Sequence, residues 1–113
     1  MGTSDRSSQL LKGVLDMCLL ALISEEPSYG YEMVGKLQQR GLPLVSEGSI
    51  YPLLSRLQRN RLVEAYFVES KEGPSRKYYR IRDEGRTELA RWQQEWKTLS
   101  EGVGLVLNGG RHD

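Results

Sequence analysis

Half of the sixteen Lys and Arg side chains in this 113-residue sequence fall between positions 55 and 82. They are Arg56, Arg59, Arg61, Lys71, Arg76, Lys77, Arg80 and Arg82, and only Glu64, Glu69 and Glu72 oppose them. That segment carries a net +5 and the remainder, with eight basic and twelve acidic residues, a net −4, so the overall +1 conceals a polarity. Clustered cations neutralise a polyanion, because each one held near a phosphate releases a condensed counterion. Hydroxyl and small residues stand just before and within this segment, at Ser46, Gly48, Ser49, Tyr51 and Ser55. Such groups donate to phosphate oxygens and base edges.

Catalysis has little material to work with. The single histidine, His112, lies in a Gly-rich tail, and the single cysteine, Cys18, shares an apolar helical stripe that reads as core. One thiol allows no intramolecular disulfide, and one His with one Cys makes a metal site unexpected. No glycine-rich phosphate loop and no nucleophile paired with a base are present, so we expect neither an enzyme nor a bound metal or cofactor. The longest apolar run, Val14 to Ile23, contains Asp16 and falls short of the roughly 20 residues of a membrane span. The start, Met1-Gly2-Thr3-Ser4-Asp5-Arg6, has neither a secretory pattern nor the Ser or Thr that a myristoylation motif wants at position 6. The expected location is the cytoplasm, with no membrane partner.

The elements that must position the cations follow from periodicity. Leu11, Val14, Leu15, Cys18, Leu19, Leu22 and Ile23 recur at helical spacing, which predicts one buried helix capped by Ser7 or Ser8. Gly13 inside it suggests a close helix crossing. Pro27 ends that helix by excluding the α conformation at residue 26, and Ser28 is placed to cap a second, which turns Tyr31, Val34 and Leu37 inward and stops near Gly41. After the loop Leu42-Pro43-Leu44-Val45, the residues Ile50, Leu53, Leu54 and Leu57 give a third helix starting at Gly48 or Ser49, with Pro52 near its beginning. Leu62 to Val68 and Lys77 to Ile81 read as a β-hairpin around the turn-forming Ser70-Lys71-Glu72-Gly73-Pro74-Ser75. From Asp83 a last helix carries Leu89, Trp92, Trp96, Leu99, Val103 and Val106 at alternating spacings of three and four, a heptad seam. Gly102 and Gly104 weaken its far end, and Asn108-Gly109-Gly110 stops it.

Three helices followed by a basic hairpin is the order of a winged helix-turn-helix, an α+β fold, mainly α, in which the third helix enters the major groove of double-stranded DNA and the wing lies on the backbone. On this reading residues 1–82 form the DNA-binding unit, 83–108 a dimerisation helix and 109–113 a disordered tail. The face opposite Ile50 and Leu54 presents Gly48, Ser49, Tyr51, Ser55 and Arg59, with Arg56 at its border. Ser46 before that helix and Tyr31 at the start of the second complete the helical set. The wing contributes Lys71, Arg76, Lys77 and Tyr78, where one of Tyr78 and Tyr79 packs in the core and the other is free to donate to a phosphate. A seam of two and a half heptads is too short to hold a two-stranded coil alone, so the homodimer is expected to add Leu11 and Leu15 of the first helix to Leu89, Trp92, Trp96, Leu99, Val103 and Val106. The competing reading is a winged helix that binds protein without specific DNA recognition. The confinement of cations to the third helix and wing favours DNA.

Taken in order, Tyr29-Gly30-Tyr31-Glu32, Gly48-Ser49-Ile50-Tyr51-Pro52-Leu53-Leu54 with Arg56-Leu57, Gly73-Pro74-Ser75-Arg76-Lys77-Tyr78-Tyr79, and Gly85 resemble the PadR-type transcriptional regulators, in particular their short-tailed members. The resemblance spans residues 10 to about 107. It implies a bacterial repressor of its own gene or a neighbouring operon, dimerised through the last helix. Arg82 departs from the Thr usual in the family, and Asp83 is the substitute cap. In some short-tailed relatives a tryptophan at the place of Trp96 pairs with its mate across the dimer and sandwiches flat ligands. This implies a small planar aromatic or nucleotide-like effector at Trp92 and Trp96, since two facing indoles make an apolar slot. The alternative is that both rings simply fill the dimer core.

Overall fold

The computed structural model describes residues 3–43 and 45–110. The readings above that concern Met1, Gly2, Leu44 and the tail from Arg111, His112 included, lie outside the described residues.

The first apolar stripe does not form one helix. It divides into α1 (Thr3–Lys12) and α2 (Leu15–Glu25), bent by 53°. At the junction the amides of Gly13 and Val14 reach back three residues, to Leu10 and Leu11, and Val14 leaves the helical region at φ −127°. Glycine is among the poorest helix residues, so the chain turns where the periodicity alone would have it continue. A close crossing does not explain Gly13 either. A Cβ there would meet only the Leu10 carbonyl of its own turn, 3.7 Å away. Ser7 and Ser8 lie inside α1 rather than capping it.

α2 ends as predicted, with Glu26 extended ahead of Pro27. Ser28 does not cap the next helix. It is buried in a two-residue strand, β1 (Ser28–Tyr29), and donates its hydroxyl to the Glu26 carbonyl at 3.1 Å. The cap position of α3 (Gly30–Gln39) falls to Tyr29, whose amide donates to the Glu32 carboxylate. This shift turns Tyr31 outward, 67% exposed, and puts Met33 beside Leu37 in the core. Gly41 closes α3 at φ +102°, and Leu42 N–H returns to the Leu37 carbonyl at 2.8 Å.

α4 (Glu47–Arg59) buries Ile50, Leu54 and Leu57, with Leu53 half-buried. It begins one residue earlier than expected and continues through Pro52, whose missing N–H leaves the Gly48 carbonyl without its intrahelical donor. Arg61 then adopts φ +64° and reverses the chain into β2 (Val63–Ser70). β3 (Gly73–Ile81) pairs antiparallel with β2 on one side and with β1 on the other, giving sheet order β1-β3-β2. Both wing strands run longer than the β-rich stretches, so the turn shrinks to Lys71 and Glu72, with a bulge between Val68 and Ser70. Pro74 lies within β3.

α5 (Asp83–Leu107) runs unbroken through Gly102 and Gly104 and ends in positive-φ Gly109 and Gly110. Asp83 is already helical. Arg82 holds the cap position, because its amide donates to the Leu62 carbonyl at 2.9 Å and fixes it as the last extended residue. The core gathers around α2, where Leu19, Leu20 and Ile23 meet Met33, Ile50, Leu54, Leu57, Val63, Tyr79 and Leu89. α5 approaches the wing root so closely that a Cβ on Gly85 would collide with the Leu62 carbonyl oxygen and crowd Ile81 at 2.8 Å. Gly85→Ala should therefore cost about 2 kcal/mol through overpacking. Gly102→Ala, with nothing within 4 Å, should gain roughly 0.5–1 kcal/mol. Urea denaturation of the two variants measures this, and equal midpoints would refute the close α5–wing packing.

Candidate nucleic-acid interface

Three elements converge at the start of α3. The ring of Tyr51, from the exposed face of α4, lies against Gly30, where an added Cβ would stand 2.8 Å from the Tyr51 hydroxyl and 2.9 Å from its ring. Next in sequence is Tyr29, and over its ring sits the guanidinium of Arg76 from β3, 4.8 Å from the centroid. Tyr31, which follows Gly30, is exposed to solvent. One edge of the protein thus carries the beginning of α3, the outer face of α4 and a wing arginine.

Within that edge the hydroxyls near the start of α4 are already committed. Ser46 is the cap residue, and the Ser49 hydroxyl turns back to it, accepting from the Ser46 amide at 3.2 Å and donating to the Ser46 carbonyl at 2.7 Å. The Tyr51 hydroxyl donates to Glu47 Oε2 at 2.9 Å. That bond holds the Tyr51 phenol above its ordinary pKa, and partial burial and the Glu47 charge act in the same direction. Gly48 has open space around it, so nothing inside the chain requires glycine there. Its exposed backbone, in the first turn of a helix, is accessible to an anion. Ser55, Arg56 and Arg59 follow along the same exposed side.

On the wing, Tyr79 is the buried tyrosine and Tyr78 is half-buried. Tyr78 lies between Tyr29, tilted against it at 5.2 Å, and Tyr66, stacked on it at 5.8 Å, in a row that crosses all three strands. Arg76 caps one end of the row, and Arg80 the other at 4.6 Å from the Tyr66 centroid. Lys77 points to the opposite face of β3, with Nζ 5.5 Å from the Tyr79 centroid. Lys71 is exposed at the tip.

Not all eight cations of residues 55–82 are free to meet a phosphate. Arg80 and Arg82 share Glu64, Arg82 also meets Glu84 at 3.6 Å, and Arg56 faces Asp16 at 3.9 Å. The bond from Arg80 holds the Glu64 carboxyl below its usual range. Arg59, Arg61, Lys71, Arg76 and Lys77 make no ion pair among the described residues. Sequence reasoning missed Glu47, Tyr29 and Tyr66, whose parts in this edge depend on partners supplied by other elements. Cys18 is half-buried, and burial pushes its thiol pKa up, which suits packing rather than reactivity. No group of three or more His, Cys, Asp or Glu among the described residues is placed to hold a metal ion. Nor is any single described helix long and apolar enough to cross a membrane.

The expected seam residues separate into two groups. Leu15 and Leu89 are buried within the chain, and Leu11 and Trp92 are half-buried against its core. Trp96, Leu99, Val103 and Val106 remain 48–79% exposed.

A family model for the PadR-like transcriptional regulators matches residues 19–91, from α2 into α5. The chain belongs to the PadR-like transcriptional regulator family. It is 48% identical to a PadR-like regulator of Bacillus cereus of known structure, over 88% of this chain and 96% of that one, with a TM-score of 0.77. A PadR family regulator of Eggerthella lenta is 35% identical over 92% and 90% of the two chains, with a TM-score of 0.83. An uncharacterised protein of Lysinibacillus sphaericus is 33% identical over 90% of this chain and 95% of its own. The fold is therefore the PadR winged helix, with the long C-terminal helix present, and the family is one of DNA-binding regulators rather than enzymes.

The Tyr51–Glu47 bond in this PadR-like regulator has a measurable consequence. A phenol whose pKa is raised by folding stabilises the fold below its ordinary value, near 10, and loses that contribution as pH rises through the folded value. In alkaline absorbance titration one of the six tyrosines should ionise at lower pH in Glu47→Gln than in the parent protein. In Tyr51→Phe that transition should be missing. Superimposable curves for parent and Glu47→Gln would show that the hydrogen bond does not persist in solution.

Proposed function

We propose that this PadR-like regulator is a homodimeric repressor of the bacterial cytoplasm that binds an inverted-repeat operator and is released by a small planar effector. The observation that carries the reading is the division of the molecule into two unsatisfied surfaces. At one, α4, the start of α3 and the wing gather unpaired cations and exposed tyrosines. At the other, the far half of α5 leaves Trp96, Leu99, Val103, Val106 and Leu107 in solvent. A stripe of large apolar side chains on a helix with no neighbour of its own is a surface that association would cover.

In this reading residues 1–82 form the DNA-binding unit and α5 joins two copies. Each α4 occupies a major groove, with two half-sites about 34 Å apart. Gly48, Ser55, Arg59 and Tyr31 meet DNA from the helices, with Arg56 at the border. Ser46 and Ser49 act mainly through the cap that fixes the helix start. Lys71, Arg76, Lys77 and Tyr78 hold the backbone. Because Arg76 and Lys77 lie on opposite faces of β3, they meet different phosphates.

A cleft of about 330 Å³ lies where α2 begins against α5, lined by Gly13, Val14, Asp16, Met17, Trp92, Glu95, Trp96 and Leu99. Its indoles suit a flat ring. Its two carboxylates, Asp16 and Glu95, each face an arginine, Arg56 and Arg91, outside the lining. Binding there would alter the angle between the two halves and the separation of the recognition helices.

Arg76→Ala and Lys77→Ala should each weaken binding to operator and random DNA alike and reduce the log–log salt slope by about 0.9 for every phosphate left without its cation. Fluorescence anisotropy at several salt concentrations measures this, and unchanged slopes in both variants would remove the wing from the interface. Leu99 is 61% exposed in the single chain, so Leu99→Arg leaves the subunit's own core intact. Sedimentation should find it monomeric, with operator affinity reduced about 100-fold or more by the loss of bivalency. A variant that stays dimeric with full affinity sinks the assembly. For the effector, a planar aromatic should quench tryptophan emission and release the operator, and Trp96→Ala should abolish both. Quenching without release would leave a pocket with no regulatory role.

A further inference from the structure

Glu47 is the first residue of α4, exposed, and it makes no ion pair among the described residues. A carboxylate is out of place at the leading end of a helix that meets DNA, because it repels the phosphates that the neighbouring cations attract. Its surroundings are nonetheless ordered. Oε2 accepts from the Tyr51 hydroxyl, one helical turn on, and the Tyr51 ring is pressed against Gly30, where the sequence leaves no Cβ to displace it. The side chain is thus held by a second element, α3, through a rigid intermediary.

Around it the other hydrogen-bonding side chains at the start of α4 are occupied. Ser49 bonds back to Ser46, and the phenol proton of Tyr51 is given to Glu47 itself. Oε1 of Glu47 is left as an uncommitted acceptor at the leading end of the helix. DNA offers few donors to a carboxylate. In the major groove they are the exocyclic amines of cytosine and adenine, and on adenine the adjacent N7 is itself an acceptor that opposes a second oxygen. Cytosine N4 is the donor that fits.

We infer that Glu47 is a specificity-determining residue of the recognition helix, its free carboxylate oxygen accepting from the N4 amine of a cytosine while the Tyr51 hydroxyl holds the other oxygen. This rests on the reading that α4 enters the major groove. The charge then works in two directions. It rewards the correct base and penalises every site where the carboxylate meets only phosphates and acceptors, so it weakens random binding as well as selecting the operator.

The test is a panel of operators, drawn from sequences selected by the parent protein, with each half-site position changed to all four bases. Binding is measured for the parent, Glu47→Gln, Glu47→Ala and Tyr51→Phe, with thermal melting as a check on folding. The parent should prefer cytosine about tenfold at one position of each half-site. Glu47→Ala should lose that preference alone. Glu47→Gln should move it towards adenine, the base that an amide reads through N6 and N7. Both should bind random DNA more tightly than the parent does. Tyr51→Phe should blunt the preference at the same position and leave the others intact. A purely structural Glu47 would instead lower operator and random binding together along with the melting temperature, and that result overturns the inference. So do Glu47 variants that keep the parent's preference at every position. A parent protein that does not distinguish operator from random DNA overturns the DNA-reading function itself, and the inference with it.

Discussion

The burial of α2 is the constraint on which the other elements depend. Leu19, Leu20, Leu22 and Ile23 are almost wholly removed from solvent, and α2 packs against α4, α5 and β3. Each such side chain contributes roughly 1.5–3 kcal/mol of transfer free energy. The surfaces they require then dictate where Ile50 and Leu54 of α4, Tyr79 of the wing and Leu89 of α5 must lie. The orientation of α4 relative to the long C-terminal helix is consequently set through α2, with Leu62 as a second link, its amide donating to the Leu57 carbonyl of α4 and its carbonyl accepting from the Arg82 amide ahead of α5. Packing of this density resists continuous deformation, so the relative placement of α4 and α5 is fixed by the core they share.

What the sequence reveals of this arrangement is the part written in periodicity. Ile50, Leu54 and Leu57 specify α4 and its buried face without ambiguity, and the Val63–Ile81 hairpin follows from β-rich runs around a turn. Elements too short to have a period leave no such trace. β1 is two residues long and exists because Ser28 and Tyr29 pair with Tyr79 and Tyr78 far along the chain. Once Tyr29 is in that strand, α3 begins at Gly30, and this exposes Tyr31 and buries Met33. The division of the first helix at Gly13 is equally hidden, because the apolar stripe continues across the break.

The interface is legible by residue type and obscure in its bonding. Hydroxyls and cations around α4 and the wing point to phosphate and base chemistry, but type alone does not tell which of them are already spent. Ser49 is bonded back to the cap residue Ser46, Arg80 is held by Glu64, and Arg56 is drawn towards Asp16 on α2. The effective cationic surface is therefore narrower than the net charge of residues 55–82 suggests. Arg59, Lys71, Arg76 and Lys77 carry more of it than their share of the composition. Glu47 is invisible in the sequence for the converse reason: an acid near a basic patch reads as an ordinary solvated charge until its Tyr51 partner is placed.

The bend at Gly13 and the exposed stripe of α5 belong to one structural feature. Where the first helix breaks, Gly13 and Val14 form one wall of the cleft and Trp92, Trp96 and Leu99 form the opposite wall. α1, diverted by 53°, reaches the core through Leu11 and keeps Leu10 in solvent, while α5 continues past the cleft with Leu99, Val103 and Val106 uncovered. None of the described residues of α5 past Trp92 belongs to the core that fixes α4. Leaving several such side chains in water forgoes about 1.5–3 kcal/mol for each one that burial would contribute. In the proposed homodimer the same residues would be covered by a partner surface running along α5. The exposed stripe and the cleft thus lie side by side on α5, and α4 is joined to this region both through α2 and through Leu62 at the wing root.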